Sequence, residues 1–544
     1  MTGFKNKLLT AFLFFCTVQN AAAQDKVYLI PPVHLLPLKK METNAYGLDL
    51  PSSTDVLNQD AWKNASYPVT ASKFSRVPDE LPAEAERLRL ALLKLTAEPP
   101  QGTDDQSFIT LKLQSLFDRA QFDDAYKLMQ KIPENIRTGA QKKIYADILL
   151  MKNLQTACFL KETDTTPFWQ KLSAVCSAHD KEENKAFFTL DLLKEQNQDD
   201  PFFANAVDFF LYGKPLTTPP EEISPLTVAV WHACGRTLSE LKDQKDRLWF
   251  KMLIVQDETI PVEKRLKSAE KLVQSGLLPA SKLRTFYQQA SFEKYKSQSM
   301  PPELLRAQYV QQAAELSSQT TDNLKKQTYI KKALLSAKAS KVSSAFAAAI
   351  KDILETVTPD PDSLKDSAEM IEAFTLAGLN GRAIEWYKKA ALLFPVSETT
   401  AYGWYFAELA QPDKNRHFFI TALENMMAYA SKNKKTSDDF TVQIDRLMLA
   451  FQMLDMIHPE EVWHYTTFDD DPILKEMAER KKVAPPAGKP VGDIVLEALH
   501  ELDGTYVGLL NAISSLSGAN LNREAALLTA QSMDLILHRN KPHE

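Results

Sequence analysis

Most of the 30 prolines in this chain fall between segments whose apolar residues recur every three to four positions, and few fall inside them. Proline within a helix removes a hydrogen bond and clashes with the preceding turn, so this placement marks helix ends. Glycine contributes only 15 of 544 residues, and alternating β-branched runs are almost absent. Leu, Ala, Lys, Glu and Gln dominate, the residues that lose least on entering a helix. The expected fold class is all-α.

The helical pattern begins at Glu80, with Leu81, Leu88, Leu90, Leu92, Leu93 and Leu95 in one helix. Residues 24–78 differ: Pro31, Pro32, Pro37, Pro51 and Pro68 sit among Ile30, Val33, Leu35 and Leu36. They read as an extended N-terminal arm, either lying against the body or acting as a flexible tether. Apolar periodicity then suggests helical pairs near 138–160, 167–196, 201–234, 247–276, 280–315 and 323–357. Residues 483–490, Val-Ala-Pro-Pro-Ala-Gly-Lys-Pro, form a linker. Residues 491–544 hold three more helical segments, expected to be a C-terminal cap over the end of the preceding array.

Ser363 to Pro395 is the most regular stretch. Ser363 and Asp366 have capping-box spacing, and Met370, Ile371, Phe374 and Ala377 make one apolar face. The chain turns at 378–381, after which Ala383, Ile384, Tyr387, Ala390, Ala391 and Phe394 form a helical stripe ended by Pro395. These residues resemble a tetratricopeptide repeat, since Gly378, Ala383, Tyr387, Ala390 and Pro395 match its spacing and Phe374 its first-helix aromatic. The repeat's first-helix Trp and Gly fall instead on Ser367 and Ile371. A looser echo at 108–133 keeps Ala120, Phe122, Ala125 and Met129 but lacks the turn glycine. The resemblance implies an irregular α-solenoid of antiparallel helix pairs over residues 79–482.

A second resemblance rests on Pro167-Phe-Trp-Gln-Lys171 through Cys176, Leu190-Asp-Leu-Leu193, Asp200-Pro-Phe-Phe203 and Val491 to Leu499. With these the chain is similar to a family of exported alphaproteobacterial proteins often labelled "antifreeze glycopeptide polyprotein". That label implies Ala-Ala-Thr glycopeptide repeats, which are absent, so ice binding is not carried over.

Residues 1–23 have the form of a secretory signal peptide: Lys5 and Lys7, an apolar run from Leu8 to Val18, then Ala21-Ala22-Ala23. Cleavage is expected before Gln24, giving a periplasmic product. No later segment reads as a transmembrane span. The net charge of −6 gives no global basicity for nucleic acid. After cleavage Cys158, Cys176 and Cys234 remain. Cys158 and Cys176, close in sequence across an interhelix turn, are the natural disulfide pair, with three buried free thiols as the other reading.

No catalytic motif is complete, and no cofactor or metal site is expected. Ser268-x-x-Lys271 has the form found in penicillin-interacting enzymes, but the strands those enzymes need are missing. His500-Glu501 lacks a second histidine at position 504. His458, Glu461 and His464 spread over too wide a helical arc to converge on a metal. Asp469-Asp470-Asp471 lacks the glycine and distal glutamate of a calcium loop. Soluble lytic transglycosylases pair a periplasmic superhelix with a lysozyme-like domain, yet the residues after Pro490 are too few for one and carry no catalytic Glu-Ser.

The leading expectation is a non-enzymatic periplasmic scaffold that binds a protein or peptide partner in a helical-repeat groove. Glu372, Arg382, Glu385 and Lys388, expected to be exposed, are its candidate contacts. Lys325, Lys326, Lys331, Lys332, Lys338 and Lys341 lie in a stretch from 323 to 351, a candidate dock for an anionic envelope surface unless acids of neighbouring helices neutralise it. The alternatives are an enzyme of the cell wall or its polysaccharides, which clustered acids of raised pKa would favour, and a self-associating structural subunit.

Overall fold

A computed structural model describes residues 45–49, 56–104, 106–160, 164–242, 245–295, 300–316, 320–410, 416–432, 437–457, 475, 478 and 488–537. The fold is all-α: among the described residues there is no β-strand, only two isolated parallel bridges, Asp49 with Leu95 and Ser66 with Gln101. The first helices are α1 (Tyr67–Arg76), α2 (Ala83–Lys94), α3 (Ser107–Asp118), α4 (Phe122–Gln130), α5 (Gly139–Leu150), α6 (Leu154–Cys158), α7 (Pro167–His179), α8 (Glu183–Glu195), α9 (Pro201–Tyr212) and α10 (Pro225–Ala233). Then follow α11 (Leu248–Gln256), α12 (Val262–Gln274), α13 (Ala280–Gln289), α14 (Pro302–Glu315), α15 (Thr320–Ala339), α16 (Ser343–Ala349), α17 (Lys351–Thr356) and α18 (Pro361–Leu364). The last are α19 (Ala368–Leu376), α20 (Asn380–Leu393), α21 (Glu398–Leu409), α22 (Arg416–Lys432), α23 (Ser437–Met453), α24 (Val491–Glu501), α25 (Tyr506–Gly518), α26 (Asn522–Gln531) and α27 (Met533–Leu537).

Proline sets many of the starts. Pro167, Pro201, Pro225, Pro302 and Pro361 open α7, α9, α10, α14 and α18, where a missing N–H costs nothing. One C-terminal device recurs between paired helices. A residue in the left-handed region follows the helix, and the N–H of the residue after it bonds back five residues. It appears as Gln121 N to Leu116 O (2.9 Å), Glu182 N to Ser177 O (2.7 Å), Val342 N to Ala337 O (2.9 Å), Leu379 N to Phe374 O (2.7 Å) and Leu521 N to Leu516 O (2.9 Å). The left-handed position is Ala120, Lys181, Lys341, Gly378 and Asn520 in turn; the same turn is made with Gly235 and Gly276, so glycine supplies some of these turns and other residues the rest.

The Ser363–Pro395 unit is a helix pair, with Met370, Ile371, Phe374, Ala383, Tyr387 and Ala390 buried. Its start differs from expectation. Ser363 caps nothing and bonds Asp360 O, α18 intervenes, and the first long helix starts after Ser367.

The N-terminal arm needs correction where it is described, because residues 67–76 of it are helix α1. Trp62 is fully buried, with Phe108 edge-on at 5.6 Å and Phe74 at 6.0 Å. The last unit contacts the first helices. Gly492 N donates to Ala61 O at 2.9 Å, and a Cβ at Gly492 would stand 2.6 Å from that oxygen. Lys73 pairs with Asp493 at 2.9 Å, Glu84 N donates to Gln531 Oε1 at 2.9 Å, and Arg87 reaches Glu524 at 3.1 Å. Helices α24 and α26 therefore pack on α1 and α2, while α26 also meets α19 and α21. The chain returns on itself, and the main core runs continuously from Ala61 to Ile536.

Candidate functional site

A cleft of about 610 Å³ opens where α1, α2 and α3 face the turn into α11. This is the size range of small-ligand sites. Its apolar wall is Phe74, Val77, Leu111, Leu248 and Trp249. Arg89 and Arg119 stand at its base and both are buried. Asp79, Glu80, Gln114, Asp118 and Asp246 form an exposed polar rim.

Each charge is positioned by a definite contact. Arg119 donates to Asp79 Oδ1 at 2.9 Å and also to the Asp79 carbonyl. Arg89 donates to the Pro78 carbonyl, which fixes the loop between α1 and α2. Beneath both lies Glu86, fully buried, 3.6 Å from Arg89 and 3.9 Å from Arg119, with neither carboxylate oxygen hydrogen-bonded. Burial pushes the Glu86 carboxyl above its ordinary value, against the pull of the two guanidinium groups. Burial likewise lowers Arg89 to about 10. Desolvation in the cleft raises the Asp118 carboxyl too, although the residue as a whole is exposed. On the opposite side Asp246 adopts a left-handed conformation (φ 52°), held by Lys251, which donates to its carbonyl at 2.7 Å. That turn aims Arg247 at the Ile223 carbonyl and places Trp249 in the wall. The site thus joins an aromatic surface to a buried acid between two arginines.

A second cavity, about 520 Å³, lies among α5, α6, α10 and α11, with Leu150, Leu154, Val228 and Leu253 in its lining and His179 and His232 at its edge.

The expected site residues fall elsewhere. Glu372 is buried, not exposed, and faces Lys338 at 3.5 Å. Arg382 and Glu385 are half-buried and pair with each other at 3.4 Å, while Lys388 is exposed on the same helix. The lysine stretch is not one open face. Lys326 is buried and donates to Thr356 Oγ1 at 3.2 Å, and Lys331 pairs with Glu369 at 3.5 Å. Lys332 lies over the Tyr309 ring, and Lys325 and Lys341 are exposed. Acids of α19 thus neutralise part of the run. Cys158 and Cys176 are joined in a disulfide that ties α6 to α7, and Cys234 is a buried thiol whose burial pushes its pKa up to about 12. His458, Glu461, His464 and Asp469 to Asp471 lie outside the described residues, as do residues 1–23, expected as a signal peptide, and most of residues 483–490, expected as a linker.

Sequence reasoning missed the cleft. A signal was present in α2, where Glu86 and Arg89 occupy i and i+3 beside Leu88, Leu92 and Leu93, a charge pair set into an apolar helix.

No family model, no curated protein and no solved structure matches this chain. Among the described residues, no helix is long and apolar enough to cross a membrane.

Proposed function

We propose that the chain is an exported, non-enzymatic binding protein of the cell envelope, built as a degenerate tetratricopeptide-like array, and that it takes a short peptide segment of a protein partner in the α1–α3/α11 cleft. The observation that carries this reading is the cleft's composition: Phe74 and Trp249 offer apolar contact beside the buried Arg89 and Arg119 and the rim acids Asp79 and Asp118. A peptide supplies both matching elements, an apolar side chain and paired charges, whereas a purely apolar ligand would leave the charges unused. Selection of a displayed random-peptide library on the full chain tests it. Enrichment of related sequences on wild type, lost when Ser115→Trp fills the cleft, supports the reading; equal enrichment on both proteins refutes it.

A second reading is favoured by the carboxyls of Glu86 and Asp118, both raised by burial, since a carboxyl shifted upward is what a general acid in hydrolysis of wall polysaccharide uses. Release of soluble fragments from purified cell wall, abolished by Asp118→Asn, would establish that enzyme and displace the binding reading.

A further inference from the structure

The hairpin of α7, α8 and α9 carries an exposed face of a different kind. Helices α7 and α9 bury Trp169, Leu172, Val175, Phe202, Phe203 and Ala206 in the main core. Helix α8 packs on their far side, over a separate small core of Ala174, Ala178, Ala186 and Val207. Ala186, Thr189 and Leu193 point inward from α8 at i, i+3 and i+7. The outward side holds Phe188, 63% exposed, with Asn184, Lys185, Asp191 and the half-buried Leu192 within one turn of it. Phe187 and Tyr212, themselves exposed and stacked at 6.4 Å, extend the apolar surface to α9. A contiguous patch of exposed aromatic surface marks a contact site.

The charges on α8 are arranged antisymmetrically about Phe188. Three residues before it is Lys185 and three after is Asp191, about 60° to either side of Phe188 on the helix. Both are exposed; Lys185 also pairs with Glu182, the N-cap of the helix, at 3.0 Å, and among the described residues Asp191 has no ion pair. Such a helix is complementary to its own reversed copy. In an antiparallel pair with the twofold axis at Phe188, Lys185 meets Asp191 while the two Phe188 rings face each other. A parallel pair would set like charges side by side.

We infer that α8 is the contact of a symmetric dimer of this chain, in which two copies pair antiparallel through Phe188. The contact is isologous and closed, so it yields dimers and no fibres. One helix per copy buries less than the ~1,200 Å² typical of stable complexes, so the association is weak and concentration-dependent. Residues Glu182–Glu195 lie away from the α1–α3/α11 cleft, and the dimer stands or falls independently of the peptide reading.

Sedimentation equilibrium of the full chain, from about 1 µM to about 300 µM, tests it. The wild type is expected to move toward twice the chain mass as concentration rises. Asp191→Lys, which places lysine against Lys185 twice, weakens association by about tenfold or more. The exchanged protein Lys185→Asp/Asp191→Lys recovers wild-type behaviour, an outcome that general damage to the helix does not give. Phe188→Ser leaves a monomer with unchanged far-UV circular dichroism. A wild type that stays monomeric throughout, or a dimer indifferent to Asp191→Lys, overturns the inference, as does an exchanged protein that remains as weak as the single variant.

Discussion

Arg306 on α14 donates from Nε to Glu270 Oε1 on α12 at 2.8 Å, and both side chains are buried. Around this pair the Tyr287 hydroxyl donates to the same Glu270 oxygen at 2.6 Å, and Arg306 Nη1 donates to Ser336 Oγ and Ser340 Oγ, each at 2.9 Å. One ion pair therefore joins α12, α13, α14 and α15 without leaving its charges unpaired. Arg306→Ala strands a buried carboxylate and is expected to lower the unfolding free energy by about 3–5 kcal/mol, read by urea denaturation. Glu270→Leu/Arg306→Met should cost much less than the sum of the single changes, since it strands neither charge.

The Cys158–Cys176 disulfide holds the short helix α6 to α7 across a sequence separation of 18. Cys158→Ser should cost about 3 kcal/mol in non-reducing denaturation. Mass spectrometry of non-reduced peptides should find Cys158 and Cys176 linked and Cys234 free.

Two buried groups titrate in opposite directions. Lys112 is fully buried over the Phe108 ring, donates to the carbonyls of Leu95 at 2.9 Å and Tyr46 at 3.1 Å, and is lowered by burial to about 7. Between pH 7 and its ordinary value near 10.5 the unfolded chain holds this proton and the folded chain does not, so stability rises with pH there. Glu408 on α21 is raised by burial to about 7, and its Oε1 has no hydrogen bond. Between pH 4.5 and 7 the folded chain holds that proton, so stability falls as pH rises. Lys112→Met should flatten the alkaline slope of thermal stability alone, and Glu408→Gln the acidic slope alone.

The left-handed turns carry their own prediction. Lys341 sits at φ 56°, where a side chain costs about 1 kcal/mol relative to glycine. Lys341→Gly should raise the unfolding free energy by up to about that amount in a urea titration.

These turns also explain how much of the fold could be read from residues alone. Helix positions followed from proline and apolar spacing, so the pairs near 167–196 and 280–315 coincide with α7–α8 and α13–α14. The turns, in contrast, are kept in the backbone: Ala120, Lys181, Lys341 and Asn520 adopt the conformation Gly378 adopts, so glycine alone does not mark them. The return of α24 and α26 onto α1 and α2 was illegible because it rests on contacts such as Lys73 with Asp493, 420 positions apart. The cleft was hidden for the same reason. Apart from Arg89 beside Glu86 in α2, its residues are unremarkable in sequence: Arg119 and Trp249 become part of a site only where α11 meets α3. Glu372 misled in the other direction, since a polar residue on a helix reads as exposed until Lys338 of the neighbouring helix covers it.

Occupancy of the α1–α3/α11 cleft is tested most directly by calorimetric titration of a library-selected peptide into the full chain and into Ser115→Trp. Saturable binding of one peptide per chain to wild type, with at least about tenfold weaker binding to Ser115→Trp at unchanged circular dichroism, is the expected result. Equal affinity for the two proteins would contradict the assignment of this cleft as the binding site.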